Sequence, residues 1–440
     1  MPLISWATLA AILVAAGAAP SLAWAASPSP AQTLTIEEAV ARALRDNPRL
    51  GAARRRLEGR TEATTAAGRR MLPSVHLSEE LQYYDRPFSV TFGPSALTVR
   101  DQTTNAFAAS ANQPVLGLLH LDSERESLAE VRVAAEAQLA AAEADLREAI
   151  KIEFLRTFEA QAMKHIAETS AAELSDQVTV ARARLATGVI TEADLLRLQV
   201  AVANARQQAL QAEGQARASR ATLFAAMGVE PADGNAVTLI EPQAFLDAAR
   251  VAAAPSAEAL LSGAHARRPE VVQQTHLVSS LDLDARARGY AMLPEIDLEA
   301  AYVRIDGQQF APKNSAYVGV KAEWGIWEWG TTEHRRRAAL AEAAAARQDA
   351  EGVDRQIEAE VVGAVSEGDA ARGAVQAAEE AIASAEEAFR VTEAQTKAGT
   401  ATTTDLLEAQ SALTQARLNL TRAEYELALA QVRLTRASGG

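Results

Sequence analysis

The sequence predicts a mainly α-helical chain with a small membrane β-barrel contribution of four strands. Three observations predict it: the chain is written twice, each copy holds two alternating segments of membrane length, and each pair is followed by a helix far longer than globular domains use.

Composition sets the background. A hydrophobic content of 48% at only 5% aromatic means that much of the apolarity is alanine, which favours closely packed helices over an aromatic core. The formal charge of −14 opposes a phosphate backbone, so a nucleic-acid partner is excluded. Residues 3–25 are apolar and uncharged and end in Ala23-Trp24-Ala25, the small-x-small pattern of a cleaved leader, so residues 1–25 read as a signal peptide. With no cysteine there is neither a disulfide nor a thiol for a lipid anchor. No later stretch reaches the ~20 apolar residues of a spanning helix, so any membrane segment must be built from strands.

The duplication is read from offsets. Met71-Leu72-Pro73 recurs 221 positions later as Met292-Leu293-Pro294, and Asn47-Pro48 answers to Arg268-Pro269. Further on the offset is 211: GVITEADLLRLQVAVANAR (188–206) matches GTATTTDLLEAQSALTQAR (399–417). The ten-residue difference falls between residues 73 and 115, which marks a loop there. The repeats span 26–231 and 256–440, joined by a linker over 232–255 that holds an Asp-Gly and prolines.

Each copy has the same order of elements. A first helix is expected over 36–70 and again over 256–291, with Glu37, Glu38 and Glu258 in the opening turns, where carboxylates suit the helix dipole. Proline stops both. Strands are expected at about 74–84 and 104–114, then at about 295–304 and 315–325. In the first, Val75, Leu77, Leu81 and Tyr83 alternate with His76, Ser78, Glu80 and Gln82, with Glu79 as the exception; Phe107, Ala109 and Ala111 continue the pattern on the return. In the second copy Ile296, Leu298, Ala300 and Tyr302 are answered by Val318, Val320, Ala322 and Trp324. Loops are expected over 86–102 and 306–314.

The helix that follows runs over 118–187 without glycine or proline and would extend about 105 Å. The chain turns at Gly188 or Gly399 and returns to about residue 227 or 436. On the last helix, apolar positions 406, 409, 413, 416, 420, 423, 427, 430 and 434 step by three and four, a coiled-coil seam alternating leucine and alanine. From Val115 to Gly188 and from Ile326 to Gly399 the chain runs the same 73 residues, as helices ending at one level require.

Four strands cannot close a barrel when the smallest have about eight, so several copies must share one. A periplasmic coiled-coil scaffold is the alternative from another class, but it has no use for strands of membrane length.

In these features the chain resembles the TolC family of outer-membrane efflux proteins. The residues that carry the resemblance are LTIEEAVARALRDNP (34–48), the repeated Met-Leu-Pro, the turns GVITEADLL and GTATTTDLLEAQ, and the duplication itself. It implies a homotrimer with a shared twelve-stranded barrel and a long periplasmic α-helical barrel. It also implies a passive outer-membrane duct for efflux or type I secretion, partnered by a periplasmic adaptor and an inner-membrane transporter.

Carried onto this chain, the family's periplasmic tip falls on Asp194, Arg197, Asp405 and Glu408 as gate residues. Its adaptor-docking turns fall on Gly188, Thr191, Gly399 and Thr402. Where the better-known gate has a tyrosine and an arginine, this chain has Thr396 and Ala401. A local role stands beside the gating one: Thr191-x-x-Asp194 and Thr402-x-x-Asp405 are capping boxes. Under the 211 offset Glu408 falls on Arg197, so acid and base can meet in a ring of alternating hairpins. Tyr83, Phe107, Tyr302 and Trp324 are candidate aromatics at the membrane interface, with Trp327 and Trp329 at a strand-to-helix corner. The histidines at 76, 120, 165, 265, 276 and 334 lack ligand spacing, and no nucleophile elbow, phosphate loop or paired-histidine motif occurs. No metal, cofactor or enzymatic activity is expected.

Overall fold

The computed structural model describes residues 32–229, 237–253 and 255–440. The leader at 1–25 and part of the linker lie outside the described residues. Two helices set the dimension of the molecule: α3 (Leu118–Ala186) and α8 (Thr331–Ala398), of 69 and 68 residues, each about 100 Å long. Each leaves the sheet and runs to a turn, after which α4 (Glu192–Met227) or α9 (Thr403–Ala437) returns about halfway. On the sheet side α3 is flanked by α2 (Pro48–Arg69) and α7 (Pro269–Tyr290), and beyond them by α4 and α9.

The seam on α9 is buried as its period requires. Leu406, Leu413, Ala416, Ala423, Leu427, Ala430 and Leu434 are all buried, while Ala409 and Leu420 are half-buried. In the last four turns Tyr425, Ala428, Leu429 and Val432 are buried too, because α9 there is wedged between α8 and α3.

The first helix of each copy is broken, which departs from the continuous helices expected over 36–70 and 256–291. Helix α1 (Ile36–Asp46) ends at Asn47 and α2 begins at Pro48; α6 (Ala257–Arg267) ends at Arg268 and α7 begins at Pro269. Proline excludes the residue before it from helical backbone, and Asn47 and Arg268 both sit extended, at ψ 122° and 123°. The proline then serves at N1, where its missing N–H costs nothing. The break lets α1 and α6 leave the helical layer and cover its side. Ile36, Ala39, Val40 and Ala43 of α1 bury against Ile150, Phe154, Leu155 and Phe158 of α3 and Leu223, Phe224 and Met227 of α4.

The linker carries structure of its own. β1 (Gln32–Leu34) pairs in parallel with β5 (Val237–Leu239), and α5 (Gln243–Val251) packs on α9. These elements join α1 in a girdle about halfway along the helices.

The membrane-length strands form one antiparallel sheet in the order β2 (Ser74–Tyr83), β4 (Ser95–Pro114), β6 (Glu295–Gln308), β7 (Asn314–Glu323). The interval 86–102, expected to be loop, contains β3 (Phe88–Phe92), which pairs with the outer half of β4 across a turn at Gly93, φ +60°. Phe88, Val90 and Phe92 alternate with polar residues, so the period that marks a strand is present there on a shorter scale. β6 likewise runs on to Gln308, into the expected loop.

Candidate functional site

The residues singled out in the sequence fall in two places: the tip, where both hairpins turn, and the sheet with the chain that leaves it.

At the tip both turns are built alike. Gly188 (φ +75°) and Gly399 (φ +79°) adopt left-handed backbone that glycine tolerates best. The N–H of Val189 donates to Arg184 O at 3.0 Å and that of Thr400 to Gln395 O at 2.9 Å, so each long helix closes in a Schellman turn. The returning helices start with reciprocal capping boxes. Thr191 N–H donates to Asp194 Oδ2 at 3.1 Å while Asp194 N–H donates to Thr191 Oγ1 at 3.2 Å; for Thr402 and Asp405 the distances are 2.8 and 3.2 Å. These bonds lower both carboxyl pKa values: the Thr191 hydroxyl leads at Asp194, and the Thr402 backbone N–H at Asp405. Both aspartates are therefore anionic caps.

The structure does not pair the other two residues of the tip set with each other. Within one chain Arg197 turns back to Asp194, with Nη1 3.2 Å from Oδ1. Glu408 is exposed and has no ion-pair partner among the described residues.

What joins the two hairpins is a set of residues that the repeat pattern does not reveal. Arg184 Nη1 donates to the main-chain oxygen of Thr396 at 3.0 Å. Deeper in, Glu173 accepts from Gln410 Nε2 at 2.6 Å and from Arg417 Nη1 at 3.3 Å, and Ser170 and Thr414 hydroxyls lie 3.2 Å apart. Offsets equate residues between copies, whereas these bonds run from one copy to the other, so no sequence signal announces them.

On the sheet, register sorts the side chains. Directly opposed residues share a face, so Val75, Ala111, Ala300 and Val318 form one row and Leu77, Ala109, Tyr302 and Ala316 the next. This face is apolar and exposed: Val75, Leu77, Val318 and Val320 are 70–76% accessible. Glu79, the exception in the strand pattern, lies opposite Phe107, in a row continued by Arg304 and Asn314. A polar row at that level bounds the apolar band. Tyr83 and Tyr302 project from this same face, with Tyr83 Oη accepting from Gln102 at 2.7 Å and Tyr302 Oη donating to Asn314 at 2.9 Å. Trp324 lies one residue beyond β7 at the helix end of the band, and its indole N–H donates to Met292 O at 3.2 Å. Trp327 and Trp329 are exposed and pack edge to face, 5.5 Å between rings. The opposite face carries His76, Ser78, Glu80 and Gln82. No helix among the described residues is long and apolar enough to cross a membrane.

The chain thus joins an antiparallel sheet of four long strands, with β3 on its margin and one apolar exposed face, to two pairs of long helices. A sequence model of the family described as outer membrane efflux protein matches residues 39–229 and 260–440, and the chain belongs to that family. This places it in the outer membrane with most of the chain on the periplasmic side, in a family of channels rather than enzymes. Outer membrane efflux protein BepC of Brucella suis biovar 1 (strain 1330) is 25% identical over 236 residues, a match covering 51% of this chain and 48% of BepC, about half the length of that relative. Among solved structures, a membrane protein from Pseudomonas aeruginosa superposes with TM-score 0.80 at 17% identity, covering 92% of both chains. The outer membrane protein VceC from Vibrio cholerae does so with TM-score 0.78 at 16% identity, covering 92% of this chain and 96% of VceC. At such identities the likeness is one of fold.

Proposed function

We propose that three copies of this chain form a passive outer-membrane duct that conducts substrates delivered by a periplasmic adaptor and an inner-membrane transporter. The observation that carries this is the sheet. It has an exposed apolar face and two outer edges, β2 and β7, that pair with nothing among the described residues. In lipid such edges must be paired, and four strands from each of three copies make a twelve-stranded barrel, an even number above the minimum of eight. A periplasmic scaffold has no use for that face. The paired long helices then continue the barrel as a conduit towards the tip.

At the tip, Asp194 and Asp405 set the helix starts, and Glu408 and Arg197 close the duct between neighbouring copies. That Glu408 has no ion-pair partner among the described residues of its own chain supports this assignment. The turns at Gly188–Thr191 and Gly399–Thr402 are the surfaces offered to the adaptor. Tyr83, Phe107, Tyr302 and Trp324 meet the lipid interface.

Two measurements test the reading. The purified protein is expected to have the mass of a trimer and to insert conducting units into planar bilayers; recovery as a soluble monomer overturns it. Glu408→Ala is expected to raise the resting single-channel leak, and unchanged conductance removes the Glu408–Arg197 closure while leaving the duct.

A further inference from the structure

Between the two hairpins near the tip lies a cavity of about 330 Å³, at the lower end of small-molecule site volumes. Its apolar wall comes from Val180 and Ala181 of α3, Ile190 of the first turn, Leu198 of α4, Phe389 of α8 and Leu406 of α9. All four long helices contribute to its lining. Val180 lies beside the buried line of Leu174, Val178 and Ala181 and is largely exposed.

The charged lining is unevenly satisfied. Glu393 is paired with Lys397 at 2.7 Å, Glu173 is held by Gln410 and Arg417, and the Arg184 guanidinium is committed to Thr396 O. Asp176 has no partner of any kind among the described residues. One residue on, the Oε1 atom of Gln177 is buried at the cavity wall and accepts no hydrogen bond from the protein. An exposed carboxylate without an ion-pair partner among the described residues and a buried acceptor without a donor thus stand beside an apolar pocket. Of the cations that line the cavity, Arg184 lies two turns further along α3 with a donor directed to the other hairpin, and Lys397 is paired with Glu393.

We propose that this cavity is a binding site for a small amphipathic cation, an ammonium group on an apolar body. The ammonium sits against Asp176 and Gln177 Oε1, and the body lies on Val180, Leu198 and Phe389. An anion would be repelled by Asp176, and a neutral hydrocarbon would leave the buried Gln177 Oε1 unsatisfied. An occupant touches both hairpins and so bears on any movement of the tip. That consequence rests on the duct reading, while the binding itself does not.

The test uses the full chain reconstituted in lipid nanodiscs, with empty nanodiscs as the reference. Binding of 1-naphthylmethylammonium is compared with that of its uncharged analogue, 1-naphthalenemethanol, by equilibrium dialysis. One saturable ammonium site per chain is expected, at least tenfold tighter than the alcohol. Asp176→Asn, at an exposed position that folding does not need, should bring the ammonium down to the affinity of the alcohol. Val180→Trp, which fills the cavity, should abolish both while circular dichroism and trimer mass are unchanged. Absence of a saturable site in the wild type overturns the proposal, as does ammonium binding that Asp176→Asn leaves intact. Either result leaves the conductance measurements for the duct unaffected.

Discussion

Arg436, in the last turns of α9, forms an ion pair with Glu270, in the first turn of α7, so the end of one helix is fastened to the start of the other. A cation at a C-terminus and a carboxylate at an N-terminus each suit the local dipole. Both partners have further ties: Arg436 to Asp145 of α3 at 2.6 Å, and Glu270 to buried Arg268, itself paired with Glu360 of α8. The node therefore joins α3, α7, α8 and α9 where the sheet-side helices give way to the tip-side ones.

That node predicts an acid limit to stability. Burial pushes the Glu270 carboxyl up, but hydrogen bonds from Arg268 and Arg436 outweigh it and bring its pKa from 4.5 down to about 2. A depressed folded-state pKa contributes stability that is fully present above about 4.5 and is lost as pH falls towards 2. Denaturant midpoints should fall across that window, and Glu270→Gln should flatten the fall. Glu270→Ala at neutral pH leaves two buried guanidiniums short of a partner and should cost on the order of 3 kcal/mol. An unaltered pH profile in Glu270→Gln would exclude this account.

Gly228 and Gly439 end the returning helices against the ends of the short helices α1 and α6, and a side chain at either would collide. A Cβ on Gly228 (φ +72°) meets Asp46 O at 2.8 Å, and one on Gly439 (φ +83°) meets Arg267 Cβ at 2.9 Å. The tip glycines 188 and 399 share the left-handed backbone but have nothing within 4 Å. Alanine at a tip glycine should thus cost only the backbone term, about 1 kcal/mol. Alanine at Gly228 adds displacement of a main-chain oxygen and should cost about 3 kcal/mol. Equal unfolding midpoints for Gly228→Ala and Gly399→Ala would refute the close approach.

The outer face of the sheet can be tested against its neighbour in sequence. Val75 projects from the apolar face and His76 from the other. Val75→Lys places a charge in the apolar band at a cost of about 2–4 kcal/mol if it lies near the midplane. His76→Lys should leave the barrel intact. Trimer resistance to heating in gel electrophoresis reads the difference, and equal behaviour of the two variants would argue that the face does not meet lipid.

What was legible in the sequence was whatever is periodic or local. The capping boxes at Thr191 and Thr402 need only three residues, and the seam from Leu406 to Leu434 repeats for eight turns, so both are readable before folding. Pro48 and Pro269 are visible as a matched pair, but a proline at N1 suits a helix start as well as an interruption, so the break depends on what α1 and α6 find to cover. β1 and β5 are three residues each, too short for any period, and hold only because the girdle brings them together. Arg184, Glu173 and the Arg436 node were hidden for a different reason. Arg184 and Glu173 pair across repeats, as Arg436 does with Asp145, where duplication carries no information about which residue meets which. Arg436 and Glu270 meet across 166 residues of one repeat with no period to announce them.

Arg184 gives the last prediction, because its bond to Thr396 O is the direct tie between the two turns. The same oxygen also accepts from Gly399 N–H at 3.2 Å, so the arginine of the first copy helps to finish the long helix of the second. A hydrogen bond from a charged donor contributes about 1.5–3 kcal/mol, enough to shift a closed-to-open balance on the order of tenfold. Arg184→Ala should then raise resting open probability in planar bilayers by about that factor. Arg184→Lys keeps the charge with a shorter reach and should fall between the variant and the wild type. Because Arg184 forms no ion pair with an acid among the described residues, the effect should persist at high salt, where a purely coulombic closure would already be weakened. Wild-type conductance in Arg184→Ala would show that the hairpins are held by their apolar seam alone, through Leu174, Val178 and Leu198 packing with Leu407.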